Sequence, residues 1–469
     1  MELDKAAKYG ITGLTILGFV AYSATSQIEG QILGVVFLAL VIWSLYPERH
    51  LESSILIIIL LSFFQVFLSP GEFIDSLFST YGGSGLWIIV SGFVLAKALE
   101  ASGLGRRIAL WIATSLGAEP GRIILSVAIA NLVLAPLSPS TTAKAFLLHP
   151  ICVGLVEAFD VEKGRSRYGA ALLLMAMAAN NICSTAFLTA TVPNPISAQY
   201  IAEATGVELG WLGWLVMALP ITILLLAASW LVLIRMYKPE VGENAEALER
   251  ITGLREGLGP LSRRERIVTA VFAVALVLWL TDGFHPYNAG LISLALSLVL
   301  FIPQLGIIEV GKFTGDVPWG SLTLFAASMF LARAVGRWRA LDPVAKALFE
   351  ALNLSGFGPA VFVALVVLVA MFLHVAFTST TVYATVMVPL AISLAQLQGL
   401  SPQMVALPVA FLAPVAVILP VNTIPNIVFH SAGYFNQKQM IAYGLVVSLV
   451  STILVLLVGF PYWSLLNLV

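Results

Sequence analysis

Ser140-Thr141-Thr142 and Ser379-Thr380-Thr381 are two copies of one polar motif, each set in apolar sequence and each followed by a proline at the same distance, Pro150 and Pro389. A second motif follows each copy, Thr191-Val192-Pro193-Asn194 and then Thr423-Ile424-Pro425-Asn426. Two helix-breaking elements thus recur in the same order in the two halves of the chain. In a membrane protein this pattern points to a secondary transporter whose substrate site lies at the midplane between repeats.

Composition puts the chain in a membrane. Of 469 residues 59% are hydrophobic and 10% charged, with a mean hydropathy of +0.97, whereas soluble proteins carry about 25% charged residues. Apolar runs such as 55–67, 221–234, 270–280 and 360–372 approach or reach spanning length. A net charge of −1 gives no reason to expect nucleic acid as a partner. Two cysteines, Cys152 and Cys183, sit in apolar segments and suggest neither a disulfide framework nor a zinc site. No His/Asp/Glu constellation or glycine-rich phosphate loop suggests an enzyme. Residues 10–22 resemble a signal-peptide core, but no convincing cleavage site follows, so the segment reads as a retained first helix.

The expected fold is an all-α polytopic membrane protein, with about eleven transmembrane helices and two re-entrant helical hairpins in inverted-topology repeats. Spans are expected near 10–27, 31–46, 52–69, 85–103 and 210–236, then near 267–281, 286–303, 318–337 and 439–463. The hairpins cover 120–156 and 358–397, and the broken helices 167–205 and 403–432, with breaks near 184–195 and 419–426. The units are an extra N-terminal helix (1–30), repeat one (31–236), a cytoplasmic linker (237–266) and repeat two (267–469). A third element supports the duplication, because Phe93–Ala98 resembles Phe330–Ala334 around Lys97 and Arg333. The offsets are 236 (333 − 97), 239 (379 − 140) and 232 (426 − 194). Five spanning units per repeat would invert the second relative to the first. With the N-terminus inside, inner loops collect residues such as Lys5, Lys8, Arg106, Arg107, Arg263, Arg264, Arg266 and Lys312. Outer loops hold mostly Glu29, Glu72, Asp75, Glu203, Glu208 and Asp282, as the positive-inside rule requires of an inner-membrane protein. Arg337, Arg339 and Lys346 depart from it and are placed on an interfacial helix.

Unwound backbone at membrane depth is tolerated where protein buries it or where it lines a cavity. A helix starting at each Ser-Thr-Thr would aim its free N–H groups and dipole inward, which favours an anion. Two such tips could grip both ends of a dianion, with the Pro-Asn breaks lining the same cavity. The plainer reading is ordinary helix capping. Lys144, one turn after Ser140, is an intramembrane cation and so a functional candidate. It could neutralise an anion, stand in for a coupling cation, or snorkel to an interface. Tyr383 is its counterpart. His149, His374 and His430 read as hydrogen-bonded core, His374 being the best placed for proton sensing. Lys97 and Arg333 read as snorkelling residues.

These motifs resemble the divalent anion/sodium symporter family, the di- and tricarboxylate transporters. That family carries Ser-Asn-Thr at two re-entrant tips, where this chain has Thr in place of both Asn residues. The resemblance covers nearly the whole chain and implies a homodimeric elevator transporter in the lipid bilayer, with no resident cofactor and Na⁺ as a possible coupling ion. By carry-over, substrate contacts fall on Thr141, Thr142, Thr380, Thr381, Thr423 and Pro425, and the reading of the tips, the breaks and the intramembrane cation adds Ser140, Lys144, Asn194 and Ser379. The Na⁺ positions fall on Ser140, Thr141, Thr189, Thr378, Ser379, Thr380 and Asn422. Phe187–Pro195 and Lys144 resemble the Na⁺-independent exchanger branch, whereas Val421–Asn426 and Tyr383 resemble the Na⁺-coupled branch. The expected activity is transport of C4-dicarboxylates or citrate by Na⁺ symport or dicarboxylate exchange. A sulfate or other oxyanion carrier, and a passive anion channel, are the alternatives.

Overall fold

A computed structural model describes residues 10–19, 27–64, 69–138, 140–317 and 319–469. Lys5, Lys8 and the expected helical stretch 20–26 lie outside the described residues. Among the described residues there is no strand.

The helices of the first half are α1 (Gly10–Phe19), α2 (Ile28–Leu45), α3 (His50–Phe63), α4 (Pro70–Gly82), α5 (Ser84–Ser102), α6 (Leu104–Ser115), α7 (Pro120–Leu134), α8 (Thr141–Glu157), α9 (Arg167–Cys183), α10 (Pro193–Thr205) and α11 (Trp211–Met236). Those of the second are α12 (Ala245–Glu256), α13 (Arg263–Leu280), α14 (Ala289–Leu300), α15 (Val310–Asp316), α16 (Trp319–Trp338), α17 (Asp342–Ala351), α18 (Pro359–Leu373), α19 (Thr380–Leu397), α20 (Pro402–Leu412), α21 (Ile424–Ser431), α22 (Gln437–Leu454) and α23 (Phe460–Leu465). Local chemistry sets many of the starts. Proline occupies the first helical position of α7 and α18, where its missing N–H costs nothing. Reciprocal capping boxes, Ser262 with Glu265 and Asn436 with Gln439, open α13 and α22.

Among the described residues, eight stretches are long and apolar enough to cross a membrane by length and composition. Three of these, Pro120–Leu137, Pro359–Ala376 and Thr380–Leu397, fall in the expected hairpins. Length and composition do not separate a hairpin arm from a span, since both meet the same apolar surroundings.

The two halves run through the same series of elements. Each has a helix pair (α2, α3; α13, α14), a short helix (α4; α15), a long one (α5; α16) and an amphipathic one (α6; α17). Where the hairpins were expected, two helices joined through a 3-10 turn follow (α7, α8; α18, α19), then a broken helix (α9, α10; α20, α21) and a long closing helix (α11; α22). Packing exchanges between the halves. Helix α5 lies on α14 while α16 lies on α3, and α8 meets α21 while α19 meets α10. Gly290 permits the close approach of α14 to α5, because a Cβ there would stand 2.6 Å from the Ser84 carbonyl oxygen.

Several details differ from the sequence reading. The second break begins at Ala413 rather than near 419, since Pro414 cannot continue the backbone ladder of α20. The linker is not purely irregular, because Asn244 caps α12 inside it and this helix packs on α6. Short helices α4 and α15 were not expected, as 13 and 7 residues carry too little apolar periodicity to stand out.

Candidate functional site

Each Ser-Thr-Thr caps the helix that follows it. The Ser140 hydroxyl accepts from the Ala143 amide at 3.1 Å, and the Ser379 hydroxyl from the Val382 amide at 3.4 Å. Before each cap the chain leaves the preceding arm through a 3-10 turn, Ala135–Leu137 or His374–Ala376. The plain capping reading is therefore correct as far as it goes. What it omits is where the caps point.

Both tips and both breaks line one cavity of about 330 Å³. Its walls include Ser140, Thr141, Thr142, Ser379, Thr380 and Thr381 from the tips, with Thr191, Val192, Thr423, Ile424 and Pro425 from the breaks. Thr378, His50, Phe93, Ser321 and Leu324 complete it. The hydroxyls of Thr141, Thr142, Thr380 and Thr381 make no hydrogen bond to the described residues, so they are available to a ligand. Helices α8, α19 and α21 start at lining residues, and α10 starts directly after the lining residue Val192. First-turn amides lack intrahelical partners, and the dipoles favour negative charge. No lining residue carries a full charge, and His50 is the one titratable side chain among them.

Asparagines hold the unwound segments in place. The Asn194 amide donates to the carbonyls of Ser184 at 2.7 Å and Phe187 at 2.8 Å. Asn426 repeats the geometry, donating to Ala416 at 2.7 Å and Leu419 at 3.0 Å. A side-chain hydrogen bond of 2.9 Å from Asn181, in the last turn of α9, to Asn426, in the first turn of α21, joins the two broken helices. Asn422 bridges the second break to the second tip, donating to His374 O and Phe377 O, both at 2.8 Å, and accepting from the Leu419 amide at 2.9 Å. At the first tip Asn180 performs this task, donating to Thr141 O at 3.0 Å.

The sequence-derived site residues therefore divide. Ser140, Thr141, Thr142, Ser379, Thr380, Thr381, Thr423 and Pro425 line the cavity, whereas Lys144 and Asn194 lie outside its lining. Lys144 is 1% exposed, and its Nζ has no hydrogen-bond partner among the described residues. That burial rules out snorkelling. Of the Na⁺ candidates, Thr189 accepts from the Trp211 indole at 3.1 Å, and Thr378 donates to Ser44 O at 2.6 Å. Hard cations take oxygen ligands, and of the candidates Ser140, Thr141, Thr378, Ser379 and Thr380 line the cavity. Arg333 is not a snorkelling residue either. It donates to Ser76 O at 2.7 Å and to the Ser79 hydroxyl, and pairs with Glu203 at 3.6 Å. His374 stacks on Tyr383 with ring centroids 3.6 Å apart, away from the cavity lining. His50, Phe93 and Ser321 escaped the sequence reading. Only long-range packing of α3, α5 and α16 brings them to the tips.

A larger cavity adjoins the tip cavity and shares part of its lining. This vestibule of about 1090 Å³, lined by Lys97, Glu100 and Arg106, shares Phe93, Ser140 and Thr142 with it. A cavity of about 610 Å³ beside Arg333, Arg337 and Pro389 shares no lining residue with it.

A family model described as the sodium:sulfate symporter transmembrane region matches residues 12–469. The chain belongs to this family. It is 27% identical over 395 residues to the citrate/succinate antiporter of Escherichia coli strain K12, covering 82% of this chain and 80% of that one. It is 29% identical over 429 residues to the sodium-dependent dicarboxylate transporter SdcS of Staphylococcus saprophyticus, covering 87% of this chain and 80% of that one. Among solved structures, the YdaH transporter of Alcanivorax borkumensis shares the fold at a TM-score of 0.58 and 15% identity, with 84% of this chain and 88% of that one covered. The family and these relatives are transporters, not enzymes.

Proposed function

We propose that the protein is an elevator-type secondary active transporter of small divalent anions, with C4-dicarboxylates or citrate as substrates. The observation that carries this reading is the cavity lined by both Ser-Thr-Thr tips and both Pro-bearing breaks. Thr142, Thr381 and Thr423 donate hydroxyls to the carboxylates, and the first-turn amides of α8 and α19 supply further N–H groups. Neutral donors suit a carrier, since the anion must also leave. The names of the citrate/succinate antiporter and of SdcS support the substrate class.

In this reading the chain holds two inverted repeats in a homodimer in the cell membrane, with a cytoplasmic N-terminus. The vestibule beside Lys97 and Arg106 is the cytoplasmic entrance, so the arrangement is inward-open. Coupling comes either from Na⁺ held at the tip hydroxyls or from counter-exchange with buried Lys144 as the resident cation. Sulfate satisfies the same electrostatics as a dicarboxylate and is the second substrate to try.

The test is uptake of labelled succinate into proteoliposomes, with and without an inward Na⁺ gradient and with and without internal succinate. Na⁺-driven uptake into empty vesicles identifies a symporter. Uptake that requires internal dicarboxylate and ignores Na⁺ identifies an exchanger. No transport of succinate, citrate or sulfate under either condition refutes the reading.

A further inference from the structure

We propose that His50 makes anion binding proton-linked, one proton entering its imidazole as a dianion enters the cavity. The proposal rests on the transporter reading and adds to it a residue outside the duplicated motifs.

His50 is the first residue of α3 and the one titratable side chain lining the cavity. Its Nε2 lies 3.0 Å from the Trp43 carbonyl oxygen. A carbonyl only accepts, so Nε2 carries the hydrogen and Nδ1 holds the lone pair of the neutral ring. Nδ1 makes no hydrogen bond to the described residues. An anion in the cavity meets that lone pair unfavourably when the ring is neutral. Protonation turns the same atom into a charged donor, which gives the stronger class of hydrogen bond to a carboxylate. Burial holds the His50 imidazole below its ordinary range, so the ring of the empty cavity is neutral at pH 7 and charges when an anion enters.

The surroundings favour such a linkage. The start of α3 lies at the positive end of its helix dipole, a place that suits a neutral ring until an anion arrives. Burial opposes charge on the ring, while the hydrogen bond to the Trp43 carbonyl and then the Glu48 charge favour it, and Arg49 and Glu52 flank it on the same stretch of chain. From α16, Gly320 lies so close that a Cβ there would stand 3.4 Å from the His50 Cβ, and Ser321 lines the cavity beside it. The second tip contributes hydroxyls, and its histidine, His374, is buried against Tyr383. From α2 the Trp43 carbonyl meets the ring. Among the lining residues, then, no other side chain exchanges a proton with a bound dianion.

His50 also differs from the tips in where it sits. It belongs to α3, which packs on α16 and α2, and not to either hairpin. If the hairpins carry the substrate across, His50 reads its charge on one side only, and the proton is taken up and released there.

The experiment is calorimetric titration of the purified protein with succinate from pH 7.0 to 8.5, in buffers of different ionisation enthalpy, beside His50→Gln. Glutamine keeps an N–H for Trp43 O and removes the titration. Both succinate carboxyls are ionised in this range, so proton uptake reports the protein. Wild type should take up protons on binding, with affinity falling by up to about tenfold per pH unit where the ring is neutral before binding and charged after. His50→Gln should take up none and bind with an affinity independent of pH. Proton-neutral, pH-independent binding by wild type overturns the proposal and leaves the transporter reading standing, and needs no variant. Equal proton uptake by wild type and His50→Gln also overturns it. No binding of succinate, citrate or sulfate by wild type overturns the transporter reading instead.

Discussion

Replacing Asn422 by alanine separates a positioning role from an ion-ligand role. The family resemblance places this residue at a Na⁺ site. The structure commits its amide to three backbone groups, donating to His374 O and Phe377 O and accepting from Leu419 N–H. Asn422 is 1% exposed, so water cannot easily replace the lost partners. Three hydrogen bonds at about 0.5–1.5 kcal/mol net each give about 1.5–4.5 kcal/mol, and more if the carbonyls stay buried and unpaired. The loss should appear as a fall of several degrees in the melting temperature of the detergent-solubilised protein. It should also appear as weaker substrate binding, because the second tip is no longer tied to the second break. Asn422→Asp should fare no better, since it replaces both donors with acceptors facing carbonyls. The reasoning fails if Asn422→Ala melts like wild type and changes only the Na⁺ dependence of uptake. Ala190 occupies the matching position in repeat one (422 − 232). Asn180→Ala should therefore be the variant that loosens the first tip.

Thr142→Ala and Thr381→Ala each remove a hydroxyl that opens onto the cavity, and each should weaken substrate binding by about 0.5–1.5 kcal/mol, more if the partner is a charged carboxylate; isothermal titration measures this. Gly444→Ala should lower the melting temperature or abolish expression, because its Cβ would stand 2.7 Å from Ile418 Cα and closer still to the Val417 carbonyl oxygen in the unwound segment after α20. Arg107 pairs with Glu265 at 2.6 Å and also donates to the Gly259 carbonyl at 2.8 Å, tying α6 to the start of α13. The hydrogen bond from Arg107 holds the Glu265 carboxyl below its ordinary range. That stabilisation is present at neutral pH, where the carboxylate is ionised in both folded and unfolded chains. It is lost as pH falls through the carboxyl range. Melting curves of Arg107→Ala should accordingly lie below wild type at pH 7 and converge with it on acidification.

Repetition made much of this protein legible. Ser-Thr-Thr with its downstream proline, duplicated at an offset of 239 (379 − 140), located both tips. The breaks were legible because proline and asparagine act locally on the backbone that contains them. What stayed hidden depends on distant packing. His50 reaches the cavity only because α3 lies against α16, and Arg333 meets Glu203 and Ser76 only because α16 lies near α10 and α4. Lys144 was visible as an intramembrane cation, but its burial behind the cavity wall was not. Residues one turn into a helix can face the ligand or the core, and the spacing alone does not choose.

The most direct measurement is succinate counterflow in proteoliposomes loaded with unlabelled succinate, comparing wild type with the Thr142→Ala/Thr381→Ala double variant. If the two tips form one alternating-access substrate site, wild type shows a transient, saturable accumulation of label, and the double variant loses it while keeping its melting behaviour. Label that equilibrates without overshoot in wild type, or an overshoot of equal size in the double variant, contradicts the account.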